Sequence, residues 1–275
     1  MEYRIDNGKE LDLENPREIA EKLHWLKLND HRPLYGELVD KFAVRKFVAQ
    51  RAGEGILNEC FGVFDDPDEI STDLLPQRFV IKATHGYDMN LLCRDKAKID
   101  WEESRSLMRE WLLTRHELRH GEWAYSLVKP RLIAEAWMEE NSGELSDYKF
   151  YCFNGTPKFF KIDRGRSTVR SQGHFNLDFT PVPFHIRHYA PLSGEVKPPP
   201  RFDRMIEIAR QLSASIPFVR VDLYNLDGDI RFGEMTLYPC GGNLRFEPQE
   251  WNVRVGDMLE LPRLQSTTYP GGARH

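Results

Sequence analysis

Two stretches near the C-terminus, Phe218-Val219-Arg220-Val221-Asp222-Leu223-Tyr224 and Ile230-Arg231-Phe232-Gly233-Glu234-Met235-Thr236, alternate apolar with polar residues and flank Asp227-Gly228-Asp229. Alternation with a period of two marks half-buried strands, and Asp-Gly between two such runs is a hairpin signal. A three-residue loop at Asp227-Gly228-Asp229 sets Leu226 opposite Ile230, Tyr224 opposite Phe232, Asp222 opposite Glu234 and Arg220 opposite Thr236, all on one face. Two carboxylates then confront each other. Like charges so placed destabilise a strand pair, and a divalent cation is the simplest group to neutralise them. Oxygen-only ligation suits magnesium or manganese, and magnesium uses one or two carboxylates plus nucleotide phosphate oxygens. A two-residue turn at Asp227-Gly228 would instead shift the register by one and leave Asp222 and Glu234 as solvated residues on opposite faces. The hairpin alone leaves both registers open.

Upstream, Leu75 to Gly86 reads as a short β-rich run with Lys82 at its end and a Gly-containing turn after it, an arrangement able to cradle nucleotide phosphates. A strand-terminal Lys is also commonly just a solvated charge, and no P-loop or dinucleotide-binding pattern occurs in the chain. Pro130 to Glu140 is an apolar strand ending in acids. Leu145 to Asp163 is an alternating strand, an Asn154-Gly155 turn and a second alternating strand.

Taken in order, these segments resemble the ATP-grasp superfamily, and their phrasing is similar to its TupA-like branch, linked to teichuronopeptide and other surface-polysaccharide biosynthesis. The resemblance rests on Asp40-Lys41-Phe42-Ala43-Val44-Arg45, Phe79-Val80-Ile81-Lys82 with His85-Gly86, Ile133-Ala134-Glu135, Asp147-Tyr148-Lys149-Phe150 with Phe153-Asn154-Gly155, Phe218 to Asp222, and Phe232 to Thr236. It implies an α+β ATP-grasp fold in which two lobes with antiparallel sheets clasp ATP, preceded by a short helical N-terminal region. It also implies that Lys82 binds ATP phosphates, with His85 and Gly86 in the phosphate loop, and that Glu135 with the Ala136-Trp137 backbone forms the hinge holding adenine. Glu140 or Asp147 would bind ribose. Lys149 would be a second phosphate contact, Asp222 and Glu234 magnesium ligands, and Arg220 the group that stabilises charge at the reacting centre. Two departures stand out. Thr236 occupies a position where the superfamily usually has Asn as a third metal ligand, and the phosphate loop Thr84 to Asn90 carries one Gly where many relatives have several.

The implied activity is that of an ATP-dependent, ADP-forming ligase using ATP and Mg2+ (or Mn2+). It would join a small-molecule carboxylate to an amine through an acyl phosphate, on a glycan precursor. Two alternatives share the same nucleotide site: a small-molecule or sugar kinase, and a nucleotide-binding partner without turnover. The basic run Lys158, Lys161, Arg164, Arg166 and Arg170 reads either as a solvated loop face or as a loop closing over phosphate and an anionic substrate, with Arg164 as a catalytic candidate.

A competing motif is His116-Glu117-Leu118-Arg119-His120, an H-E-x-x-H pattern with Glu140 as a conceivable third ligand. Leu107, Met108, Trp111, Leu112 and Leu118 fit an amphipathic helix over 102–120 that Gly121 stops, which puts the pair in a fraying last turn rather than on a rigid zinc-binding face.

The remaining features bound the class. With 43 acidic against 38 basic residues the net charge of −5 gives no pull toward nucleic acid or anionic membrane. Cys60, Cys93, Cys152 and Cys240 are scattered without metal or disulfide spacing, as expected of thiols in a reducing compartment. No apolar run approaches a membrane span and the first residues are polar, so a cytoplasmic location without membrane insertion is expected. The expected organisation is a helical N-terminal region over 1–75, helical from about 15 to 55 with a start at Asn15-Pro16 and a second amphipathic stretch over Leu34 to Gln50, followed by a short strand at Gly62-Val63-Phe64. A small lobe over 76–138, a large lobe over 139–264 with a helix from Arg201 to Ser215, and a disordered tail over 265–275 follow.

Overall fold

Two turns of the Asn-Gly and Asp-Gly type shape the larger sheet. In both, the two central residues have positive φ (Asn154 47°, Gly155 77°; Asp227 55°, Gly228 101°), the backbone that matches the twist of the flanking strands. The computed structural model describes residues 10–139, 145–165, 171–186, 190–192 and 196–263. The chain runs through α1 (Ile19–Asn29), α2 (Leu34–Val39), α3 (Val44–Ala52), β1 (Cys60–Phe64), β2 (Phe79–Ala83), β3 (Asn90–Cys93), α4 (Trp101–Leu113) and β4 (Leu132–Ala136). It continues through β5 (Asp147–Phe153), β6 (Thr156–Arg164), β7 (Ser171–Asn176), β8 (His185–Ile186), β9 (Ala190–Pro191), α5 (Phe202–Ser213), β10 (Phe218–Leu226), β11 (Asp229–Thr236), β12 (Phe246–Glu247) and α6 (Glu250–Gly256).

The strands form a four-stranded antiparallel sheet ordered β1-β4-β2-β3 and a six-stranded sheet ordered β11-β10-β5-β6-β7-β9, antiparallel except for the last pair. Strand β1 falls where Gly62-Val63-Phe64 reads as a short strand, and it edges the small sheet. In that sheet Phe79, Ile81, Ala83, Leu132 and Ala134 pack with Met108 and Trp111 of α4. Alternation sends Lys82 and Glu135 to the other face. In the large sheet Phe150, Phe160, Val219 and Val221 pack with Met205, Ile208 and Leu212 of α5. Each such apolar side chain contributes roughly 1.5–3 kcal/mol by leaving water. The opposite face carries Asp147, Lys149, Lys161, Asp163, Arg220 and Asp222, so one period-two pattern supplies a core and a charged surface together.

Three helical expectations are corrected. The first helix begins at Ile19 behind a capping box of Glu18 and Glu21, not at Asn15-Pro16. The stretch Leu34 to Gln50 is split, because the Asp40 carboxylate accepts the amides of Phe42 and Ala43 and interrupts the helix. Helix α4 stops at Leu113, and His116–Leu118 is a separate 3-10 turn. The tail over 265–275 lies outside the described residues.

Candidate functional site

The β10–β11 hairpin combines the two registers that its sequence left open. Its turn is the two-residue Asp227-Gly228, which sets Leu226 opposite Asp229, Asn225 opposite Ile230, Tyr224 opposite Arg231 and Leu223 opposite Phe232. That corrects the expected pairing of Leu226 with Ile230 and of Tyr224 with Phe232. A bulge at Gly233 then adds one residue to β11 and returns Asp222 opposite Glu234 and Arg220 opposite Thr236. A Cβ at Gly233 would stand 3.0 Å from the Asp222 carbonyl oxygen, so the close approach favours glycine there.

What neutralises the facing carboxylates is Arg220. Its Nε and one terminal nitrogen donate to both oxygens of Asp222, each at 2.7 Å, and that terminal nitrogen also reaches Glu234 and the Thr236 hydroxyl at 3.0 Å. Lys149, opposite Asp222 on β5, donates to Asp222 at 2.6 Å and to Asp147 at 2.5 Å, with Asp163 4.0 Å away. Burial opposes the charge on Lys149, but Asp147 and Asp222 outweigh it and hold the ammonium well above its ordinary pKa. Glu234 is likewise opposed by burial, yet Arg220, Lys149 and Lys41 bring its carboxyl down to about 2. The two acids differ in access: the Asp222 side chain is 1% exposed and that of Glu234 43%. Glu234 is therefore the open oxygen donor, and Asp222 must exchange a basic partner to accept any other. Among the described residues no group of three or more His, Cys, Asp or Glu is placed to hold a metal ion, so a cation here would draw on two carboxylates and the Thr236 hydroxyl.

On the small sheet Lys82 pairs with Glu135 at 2.8 Å, because β2 and β4 set Val80 opposite Glu135 and the two side chains meet diagonally. Arg45 of α3 holds the second Glu135 oxygen at 3.1 Å and the Asn58 carbonyl at 2.7 Å. Burial opposes the Lys82 charge, while Glu135, Tyr224 and Glu234 raise its pKa on balance. Lys41 donates to the carbonyl of Gly86 and feels Glu234, Lys82 and Glu135, so three cationic groups converge between the sheets.

The remaining expectations sort by geometry. Asp147 is fully buried and engaged by Lys149, which removes it as a ribose ligand; Glu140, Arg166 and Arg170 lie outside the described residues. The His85 ring is 3% exposed, with Nε2 3.1 Å from the Trp111 carbonyl, so it turns under α4 rather than toward phosphate. Ala136 donates its amide to Glu59 and its carbonyl accepts from Asn58, and Trp137 bonds to Glu139 with its ring beneath Arg94. Arg164 ends β6 beside Ser146, 3.1 Å away, apart from the Arg220 cluster. The H-E-x-x-H residues share no helix. His116, 1% exposed, wedges against Gly86, where a Cβ would lie 2.2 Å from its ring, whereas His120 has left-handed backbone (φ 52°) and faces a cavity.

That cavity, of about 260 Å3, opens beside Arg220, Glu234 and Thr236. Lys41, Glu122, Tyr87, Tyr125 and Tyr238 line it. Sequence reading gave none of these five a role. Asp40-Lys41 was visible as a motif, but Glu122 and Tyr238 come from distant segments and carry no local signal.

Among solved structures, the fold is similar to D-alanine–D-alanine ligase from Bacillus anthracis complexed with ATP (13% identity, 74% of this chain, 54% of that one, TM-score 0.42). It is also similar to the D-alanine–D-alanine ligase of Helicobacter pylori (12%, 88%, 67%, 0.43) and to N5-carboxyaminoimidazole synthase from Aspergillus clavatus complexed with ADP and 5-aminoimidazole ribonucleotide (14%, 73%, 44%, 0.38). The chain spans about half the length of the first of these, and likenesses this low transfer no residue role. A search of curated proteins finds no match. The sequence model of the TupA-like ATP-grasp family matches residues 21–260, and with the ordered strands and paired sheets above it the chain belongs to that family.

Proposed function

We propose that the chain is an ADP-forming ligase that uses ATP and magnesium to join a carboxylic acid to an amine through an acyl phosphate. The observation that carries this reading is the cluster of Arg220, Asp222, Glu234 and Thr236 at the wall of a cavity, within the electrostatic reach of Lys41 and Lys82. ATP would lie between a small lobe that includes β1 to β4 and a large lobe over 139–264. Lys82, steered by Glu135 and Arg45, is suited to the triphosphate, and Glu135 acts through Lys82 as a positioning residue. Adenine would meet the strand backbone around Ala136 and Trp137, and the Ala136 carbonyl, which accepts from Asn58, has a second lone pair.

The donor set fits magnesium in its usual mode of one or two carboxylates completed by phosphate oxygens, with Glu234, Asp222 and Thr236 as the protein's share. When bound, the ion would screen the charge of the transferring phosphoryl group. Arg220 exchanges a carboxylate for the developing oxyanion while Lys149 keeps Asp222 in place. A substrate carboxylate oxygen bonds to the γ-phosphorus as the bond to the leaving ADP breaks. The amine nitrogen then bonds to the acyl carbon and phosphate departs.

The family's link to surface polysaccharides supports an acid or amine from a glycan precursor, and its ATP requirement supports a cytoplasmic site of action. Among the described residues no helix is long and apolar enough to cross a membrane. Hydroxylamine trapping tests the reading. Acid-dependent hydroxamate with ADP release is the expected result. A stable phosphorylated product without hydroxamate would make the protein a kinase, and Mg-ATP binding with background turnover would make it a binding partner.

A further inference from the structure

We propose that Glu122 is the anionic anchor for the primary ammonium group of the second substrate, in the wall of the cavity that Lys41 and Arg220 also line. The inference rests on the ligase reading and adds the chemistry of the incoming nucleophile.

The other buried acids around the site are matched to bases: Asp222 to Arg220 and Lys149, Asp147 to Lys149, Asp163 to Lys161 and Glu135 to Lys82 and Arg45. Glu122 is different. It is 7% exposed and lines the cavity, yet among the described residues no hydrogen bond or ion pair reaches its carboxylate. Its oxygens open onto the cavity rather than into packed protein, and a carboxylate in so buried a wall with no base bonded to it is suited to a cationic group that arrives from outside.

The charged and titratable groups around it are Lys27 from α1, His120 in its own turn, Glu234 from β11, Tyr87 from the loop after β2 and Tyr125. Lys27 is committed elsewhere: its ammonium donates to the carbonyls of His120 (2.7 Å) and Gly241 (2.5 Å), stitching together two segments of the cavity wall. Burial, helped by Glu234 and opposed by Lys27 and His120, pushes the Glu122 carboxyl up to about 7. An arriving ammonium would favour its ionised form.

The walls fit the same guest. Tyr87, Tyr125 and Tyr238 line the cavity, and cations already sit over two of these rings, Arg119 over Tyr87 and Lys27 over Tyr238, as aromatic faces attract them. At about 260 Å3 the space equals the share of roughly nine water molecules, enough for an amino acid or the amino end of a sugar. With the ammonium at Glu122 and an anionic acyl phosphate toward Arg220 and Lys41, the two reacting ends meet. The nitrogen loses one proton to the Glu122 carboxylate and its lone pair forms the C–N bond. The C–O bond to phosphate breaks, and phosphate leaves with that electron pair and takes the second proton from nitrogen.

The test uses the full chain with Mg2+ and a non-hydrolysable ATP analogue, and titrates n-propylammonium chloride against n-propanol by ligand-detected NMR. The ammonium should bind the wild type in preference to the alcohol. E122Q, which keeps the shape, should weaken ammonium binding at least tenfold, and E122D, which keeps the charge, should weaken it less. Melting curves check that both variants fold. Equal affinity in wild type and E122Q, or no preference for ammonium over alcohol, overturns the inference. If that happens while hydroxamate still forms, only the Glu122 assignment fails. A chain that binds ammonium through Glu122 yet forms no hydroxamate keeps the anchor and loses the ligase.

Discussion

Replacing Lys149 with methionine probes the charged face of the large sheet at its centre. Methionine has similar length and no charge, so the change removes a buried ammonium with little loss of volume. The ammonium lies 2.5 Å from Asp147 and 2.6 Å from Asp222, on a side chain 7% exposed. Taking one partner out of a buried ion pair costs about 3–5 kcal/mol, because the orphaned charge remains desolvated. In a chain of this size that corresponds to a melting shift of roughly 10 °C. The sign with pH follows from the raised ammonium pKa: the pairing is fully present below the ordinary lysine value and is lost only as pH rises through the higher folded value. The full loss is therefore expected at neutral pH, measured by differential scanning fluorimetry in the absence of nucleotide. Adding D147N to K149M should recover at least about 1 kcal/mol, since one uncompensated carboxylate disappears. A K149M melting shift under about 3 °C would refute the argument and show Lys149 free to leave its acids.

Other outcomes follow from the same geometry. Glu122 holds its proton to about pH 7 when folded and gives it up near 4.5 when unfolded, so wild-type stability should fall between those values as pH rises. E122Q should match the wild type below that window and exceed it by about 3 kcal/mol above it in urea titrations. Deleting Gly233 should turn Glu234 away from Asp222 and abolish ATP-dependent turnover while far-UV circular dichroism stays near wild type. In G86A the new methyl group meets the His116 ring, and Mg-ATP affinity measured by calorimetry should fall by an order of magnitude or more. E135Q loosens Lys82 and should raise KM for ATP more than it lowers kcat.

Much of the fold could be read from the chain because its strands obey a strict period. Phe79, Ile81 and Ala83 against Lys82, and Phe150 and Cys152 against Lys149, declare core face and charged face residue by residue. The Asn154-Gly155 turn was equally plain. Legibility failed where a non-local partner decided the outcome. Leu118 extended the apolar spacing of the Glu102 helix, but it is 71% exposed, and the backbone leaves the helix at Leu113 before His116 tucks beneath Gly86. The facing of Asp222 and Glu234 pointed to a cation, but it did not show that Arg220 bonds to both acids, reaching Glu234 across the hairpin. Asp147, which the resemblance offered for ribose, is bonded by Lys149 two residues along the same face of β5, and the flanking β10 and β6 bury both side chains. Lys41 and Glu122 meet in one cavity because α2, β11 and the turn after α4 pack together, which no local pattern encodes.

The tight Asp227-Gly228 corner and the extra residue at Gly233 each move the hairpin by a single step, and the two steps cancel. Parity, rather than any one length, keeps the acids together. A relative that lengthens the corner by one residue should also lack the bulge, and length changes in this hairpin should therefore be inherited as compensated pairs. An isolated one-residue insertion or deletion would instead mark a copy that has given up its chemistry.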